Sequence, residues 1–110
     1  LNLLSGPGND LVSTTALAAA GAHLILFTTG RGTPFGAPVP TVKISSNTAL
    51  YAKKGNWIDF DAGTVVQGES LDDIGAHLLD FVICIASGDK TRTELRGARE
   101  ISIFKDGVTL

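Results

Sequence analysis

The sequence predicts an α/β domain with a mainly parallel sheet of about five strands. Three observations carry that expectation. A strand–helix–strand unit fits within the first 28 or so residues. The run His23–Phe27 is apolar nearly throughout, as a strand covered on both faces is. Glycine-rich stretches follow both strand-like runs, Gly6–Asp10 and Gly30–Gly36. A parallel pair needs a crossover helix, which packs back right-handed. The architecture expected is therefore three-layered and Rossmann-like, with helices on both faces of the sheet. The 110 residues, 44% hydrophobic and 18% charged, form a single domain, 1–110, able to hold a packed core.

Taken in order, Leu1–Leu4 reads as a buried strand. Ser5-Gly6-Pro7-Gly8-Asn9-Asp10 is a turn ending in two good helix caps. A helix of small and apolar residues then spans about Leu11–Ala20, and Gly21 ends it. His23–Phe27 is the second strand. Thr41–Ser45 alternates and is the third, with Val42 and Ile44 on one face and Lys43 on the other. Asn47 or Thr48 caps a short helix, Ala49–Lys54, and Gly55 ends it. Trp57–Gly63 reads as a strand, and 64–69 as a connection. Ser70-Leu71-Asp72-Asp73 resembles a capping box, with Asp in the place of Glu. Leu71, Ile74, Leu78, Phe81, Val82 and Ile85 then repeat at helical spacing to about Ala86, with Gly88 beyond. Thr91–Leu95 adds a turn of helix, Glu100–Lys105 a final strand, and Asp106-Gly107 a turn.

Composition excludes several functions. A net charge of −2 provides no basic field for nucleic acid or an anionic membrane. No apolar run approaches the roughly 20 residues that span a bilayer. The single cysteine, Cys84, precludes an internal disulfide and fits a reducing, cytoplasmic setting. It lies close to the apolar stripe and is expected in the core. The absence of methionine points to a piece of a longer chain. Neither histidine has a ligand-spaced partner, so zinc is not expected, and His77 reads as a helix-surface residue.

The residues suited to chemistry gather at strand ends, where parallel sheets bind ligands. The two glycine loops should therefore be neighbours. Arg31 stands between Gly30 and Gly32, a planar fork on bare backbone suited to a carboxylate. Thr29 adds a hydroxyl, and Gly8 belongs to the turn that could cradle an anion at a helix start. Lys43, mid-strand, is either a lysine snorkelling from an edge strand or a cation or proton carrier. Asp59 and Asp61 alternate with apolar neighbours; they are either solvated acids or a metal or base pair.

Several strings together resemble the C-terminal domain of the galactarate/altronate dehydratase family. They are Ser5–Asp10, Phe27–Gly36, Pro40–Ile44, Ser46–Thr48, Trp57–Gly63 and Phe104–Leu110. Pro7-Gly8-Asn9-Asp10 and Thr33-Pro34-Phe35-Gly36 resemble the galactarate branch more than the altronate one. The resemblance implies a hydro-lyase that takes water from a sugar diacid or sugar acid and leaves a 3-deoxy-2-keto product. It also implies a divalent metal, usually iron(II), other domains of the same chain, and a homo-oligomeric full-length protein. With it, Arg31 and the Gly30 and Gly32 N–H groups would grip the substrate carboxylate. Lys43 would be a second cation or proton carrier, and Asp10 and Asn47 would bind hydroxyls or a metal water. Asp59 and Asp61 would be weaker candidates for metal or base. Rival readings are an altronate dehydratase, a sulfolactate-type lyase component, or a non-catalytic anion-binding or assembly domain.

Overall fold

The computed structural model describes residues 1–103. Their element order is α1 (Asp10–Ala19), β1 (Ile25–Thr29), β2 (Thr41–Ser45), α2 (Thr48–Lys53), β3 (Phe60–Asp61), a 3-10 turn (Gly63–Gln67), α3 (Leu71–Ala86) and α4 (Arg92–Leu95). The sheet has three strands in the order β1-β2-β3, and both pairings are parallel. Its α/β character and parallel sheet are as expected. Among the described residues it has three strands and not about five, because two of the expected strands are not formed there. Leu1–Leu4 is exposed chain with no strand assigned. Its apolar run fits a strand, but among the described residues no neighbour takes up its backbone hydrogen bonds. Residues 101–103 are not strand either, and Phe104–Lys105 and the Asp106-Gly107 turn lie outside the described residues.

Two strands are displaced for identifiable reasons. β1 starts two residues later than its apolar run and continues through Thr28 and Thr29, because β2 runs alongside as far as Ser45. The apolar pattern ends at Phe27, but the ladder does not. β3 keeps only Phe60 and Asp61 of the expected Trp57–Gly63. Trp57 and Ile58 instead donate their N–H groups to the Lys54 carbonyl and extend the turn that closes α2.

β2 is central and buried along its whole length. This corrects the edge-strand reading of Lys43. Val42 and Ile44 meet Ile85, Leu78 and Phe81 of α3. The opposite side carries Lys43, whose ammonium lies 4.9 Å from the Phe35 ring centre. The strand's alternation thus separates an apolar layer from a layer built on one lysine. α3 buries Ile74 and Ile85, whereas Leu71 stays exposed at the helix start. Cys84 is exposed and not in the core, since it points off the face that meets the sheet. His77 is on the surface as expected, 3.9 Å from Glu69. No helix among the described residues is long and apolar enough to cross a membrane.

Candidate functional site

Three chain segments leave the carboxyl edge of the sheet side by side: Thr29–Gly32 after β1, Ser46–Thr48 after β2, and Ala62–Gly63 after β3. The first two are stitched together. Ser46 N–H donates to the Thr29 carbonyl at 3.0 Å, and Asn47 Nδ2 to the Gly30 carbonyl at 3.1 Å. Asn47 also caps α2, its Oδ1 accepting from Leu50 N–H at 2.8 Å. One side chain therefore fixes both the helix start and the arginine loop. Asn47→Ala is expected to cost about 1–2 kcal/mol, read as a lower urea midpoint. An unchanged midpoint would show that neither bond matters.

The third segment presses against the second. A Cβ on Gly63 would sit 2.4 Å from Thr48 N and 2.6 Å from Asn47 Cα, so only glycine fits there. Ser46, Asn47, Ala49, Gly63 and Val66 border an open hollow of about 210 Å³. Gln67 closes one side, its amide 3.3 Å from the Thr48 hydroxyl. Ser46, Thr48, Gly63 and Gln67 were not read as site residues from sequence. Reading the whole of Trp57–Gly63 as strand hid the place where the sheet actually ends.

Arg31 is exposed. The ion pairs among the described residues are His77–Glu69 and Arg99–Glu94, so no described carboxylate holds its guanidinium. Gly32 has φ +78°, which an L side chain rarely adopts, and its N–H donates to Thr29 Oγ1 at 2.9 Å. That N–H is already engaged, so the grip on an anion falls to Arg31 itself. Lys54 Nζ braces the Arg31 carbonyl at 3.4 Å.

Behind the loop lies Lys43. Its side chain is fully buried, and Nζ donates to the carbonyls of Thr33 and Phe35. Burial pushes its pKa down to about 8, with the nearby Asp59 charge opposing and Arg96 adding to the shift. Asp59 is buried too. Its Oδ2 accepts from Lys43 N–H and its Oδ1 from Arg92 N–H, each at 2.8 Å. Burial pushes its carboxyl above the ordinary value, against the pull of those two N–H groups.

Asp61 Oδ1 accepts from Gly63 N–H at 2.8 Å. Both aspartates therefore serve backbone donors of their own chain. No group of three His, Cys, Asp or Glu able to hold a metal occurs among the described residues. Among the described residues Asp59 and Asp61 do not by themselves assemble a metal site, and no chemical step is routed through one.

Gly8 and Asp10 sit on the N-terminal turn. Asn9, rather than Asp10, caps α1, accepting from Leu11 and Val12 N–H. The hollow before Gly6 is bordered by Leu4, Ser13, Ala16 and Leu17 of the same segment. The structure thus brings together Thr29, Gly30, Arg31, Gly32 and Asn47, with Lys43 beneath. It leaves Gly8 and Asp10 on a turn of their own.

The described residues thus form a small parallel α/β domain with an exposed arginine and an open hollow at the carboxyl edge of its sheet, the edge where such sheets place their ligands. The C-terminal pattern of the D-galactarate/altronate dehydratase family matches residues 1–109, and the chain belongs to that family. It is 54% identical over 110 residues to an altronate dehydratase of Escherichia coli strain K12, and 50% identical over 111 residues to that of Bacillus subtilis strain 168. Each match takes in the whole chain but 22% of the relative, so the chain spans about a fifth of their length. A galactarate dehydratase (L-threo-forming) of Escherichia coli strain K12 is 38% identical over 86 residues, 76% of this chain and 16% of that protein.

Proposed function

We propose that this chain supplies the carboxylate-binding part of a hydro-lyase acting on a sugar acid. The observation that carries the reading is Arg31, raised on Gly30 and Gly32 at the sheet's carboxyl edge with no described acid to neutralise it. Removing water next to a carboxylate requires three things: a base for the acidic C–H, a cation facing the developing enediolate, and help for the departing hydroxyl. Arg31 can hold the carboxylate in a two-pronged grip and oppose the charge that builds on it. Asn47 spends one Nδ2 hydrogen on Gly30, leaving the other to bind a substrate hydroxyl.

The hollow of about 210 Å³ is open and smaller than the roughly 300–1,000 Å³ of ordinary ligand pockets. A second surface, contributed by other domains of a longer chain, would complete it. The substrate leans to altronate over galactarate, because identities of 54% and 50% outweigh the 38% to the galactarate enzyme. The Asn9-Asp10 and Thr33–Gly36 strings point the other way, but they are short against whole-chain identity.

The test is calorimetric titration of the chain with altronate and with galactarate. Saturable binding without turnover is expected. Arg31→Ala should weaken it about 10- to 100-fold, the loss of a charge-assisted bond. Equal binding by the variant would sink the reading.

A further inference from the structure

Lys43 is the largest fully buried side chain of the chain's described core, and nothing in the sheet requires a charge there. Its strand neighbours on the same ladder are apolar or small, and an apolar residue would be the cheaper occupant. What the ammonium touches is informative. Both of its described acceptors, Thr33 and Phe35, belong to the segment that follows Arg31. That segment is otherwise held at its ends. Thr29 and Asn47 fix the start through Gly32 and Gly30. At the far end Glu100 N–H donates to the Gly36 carbonyl at 2.7 Å, and a Cβ on Gly36 would stand 2.2 Å from the Ala98 carbonyl. Between those ends, Lys43 supplies the described side-chain donor.

We propose that Lys43 is a positioning residue: its ammonium, buried beneath the loop, draws the Thr33 and Phe35 carbonyls inward and so sets where Arg31 stands, without itself touching the sugar acid. This rests on the carboxylate-binding reading of Arg31 but concerns a different residue and a different contact. The charged groups around it are Asp59 ahead of β3, Arg96 beyond α4 and Glu100 near the end of the described chain. Asp59 meets the Lys43 backbone N–H, so the same residue is held from both ends. The cation disfavours itself by its burial, and the folded state therefore binds its proton less tightly than the unfolded chain does. The sign follows: between about 8 and the ordinary lysine value of 10.5 the folded chain gains stability as pH rises. A group kept against that gradient is placed for what it holds.

The experiment is NMR on the labelled chain without ligand. In the wild type the Lys43 Nζ signal should titrate near pH 8, and the Thr33 and Phe35 backbone signals should move with the same midpoint while Val42 and Ile44 stay still. In Lys43→Met the Gly32 and Glu100 amides should lose at least tenfold in exchange protection. Lys43→Arg should restore most of that protection and abolish the titration near 8. Loop signals indifferent to Lys43→Met, or to the Nζ titration, overturn the proposal. Should Lys43→Met not fold, the wild-type titration and Lys43→Arg still decide. Altronate or galactarate is then added. A Nζ signal that shifts ahead of the loop signals means that Lys43 touches the ligand, which also overturns the proposal. A loop that behaves as described in a chain that binds neither acid leaves Lys43 confirmed and removes only the dehydratase reading of Arg31.

Discussion

Asp59→Ala is expected to destabilise the chain by about 2–6 kcal/mol, at about 1–3 kcal/mol for each of the two backbone donors left without a partner. Two backbone N–H groups depend on this carboxylate, one from the central strand and one from the first residue of α4. The latter link joins residues 59 and 92, so its loss frees α4 as well as the sheet. Thr91 and Glu94 form a reciprocal cap within α4, but that cap secures the helix to itself and not to β2. Asp59→Asn keeps one acceptor oxygen and should lose about half as much. Urea denaturation of the three proteins measures the series. If Asp59→Ala had the wild-type midpoint, the carboxylate would be a passenger.

The pH dependence has a definite sign. The folded carboxyl is held above its ordinary value of 3.8, chiefly by burial, so the folded chain binds this proton more tightly than the unfolded one. The stability contributed by that proton is present below the ordinary value and is lost as pH rises through the folded one. The wild type's advantage over Asp59→Asn should therefore grow as the solution is acidified.

Legibility of the sequence divides along physical lines. Residues whose signal is local were readable. The helix from Leu71 to Ala86 is written in a 3.6-residue apolar period, and Asn47 as a cap is written in its side chain. Thr41–Ser45 is readable because alternation marks a strand whatever its partners are. What failed depends on neighbours distant in the chain. Leu1–Leu4 and Trp57–Gly63 have strand composition, yet only a hydrogen-bonding partner makes a strand, and composition does not supply one. Cys84 and Leu71 fit the apolar stripe of α3, but the sheet covers a narrower arc than the stripe.

The site shows the same division. The exposed placement of Arg31 on a glycine loop was legible, because the backbone it needs is encoded beside it. The pairing of Lys43 with Thr33 and Phe35 was not, since it joins a strand to a loop preceding it. Nor was the engagement of both aspartates by backbone N–H groups, which depends on where the chain folds back on itself.

The other large effect is expected at Gly63, where the fold and the site share one contact. Gly63→Ala places a methyl 2.4–2.7 Å from backbone atoms of Asn47 and Thr48, well inside contact distance. Backbone cannot swing aside as the tip of a long side chain can. Either the 3-10 turn lifts off the sheet edge or α2 moves with its cap. Overpacking of this kind costs about 3 kcal/mol. The urea midpoint should fall accordingly. Asn47 is also the tie to the Gly30 carbonyl, so any variant that folds should have a displaced Arg31 loop. Altronate or galactarate binding should then drop together with stability, although Gly63 itself has no side chain to touch a ligand. Asn47→Ala breaks the same tie without the collision. The binding lost should be greater in Asn47→Ala, which also removes the amide assigned to a substrate hydroxyl, while the stability lost should be greater in Gly63→Ala. Full binding by a folded Gly63→Ala would mean that the β3 edge and the arginine loop move independently, and the three strand ends would not form one site.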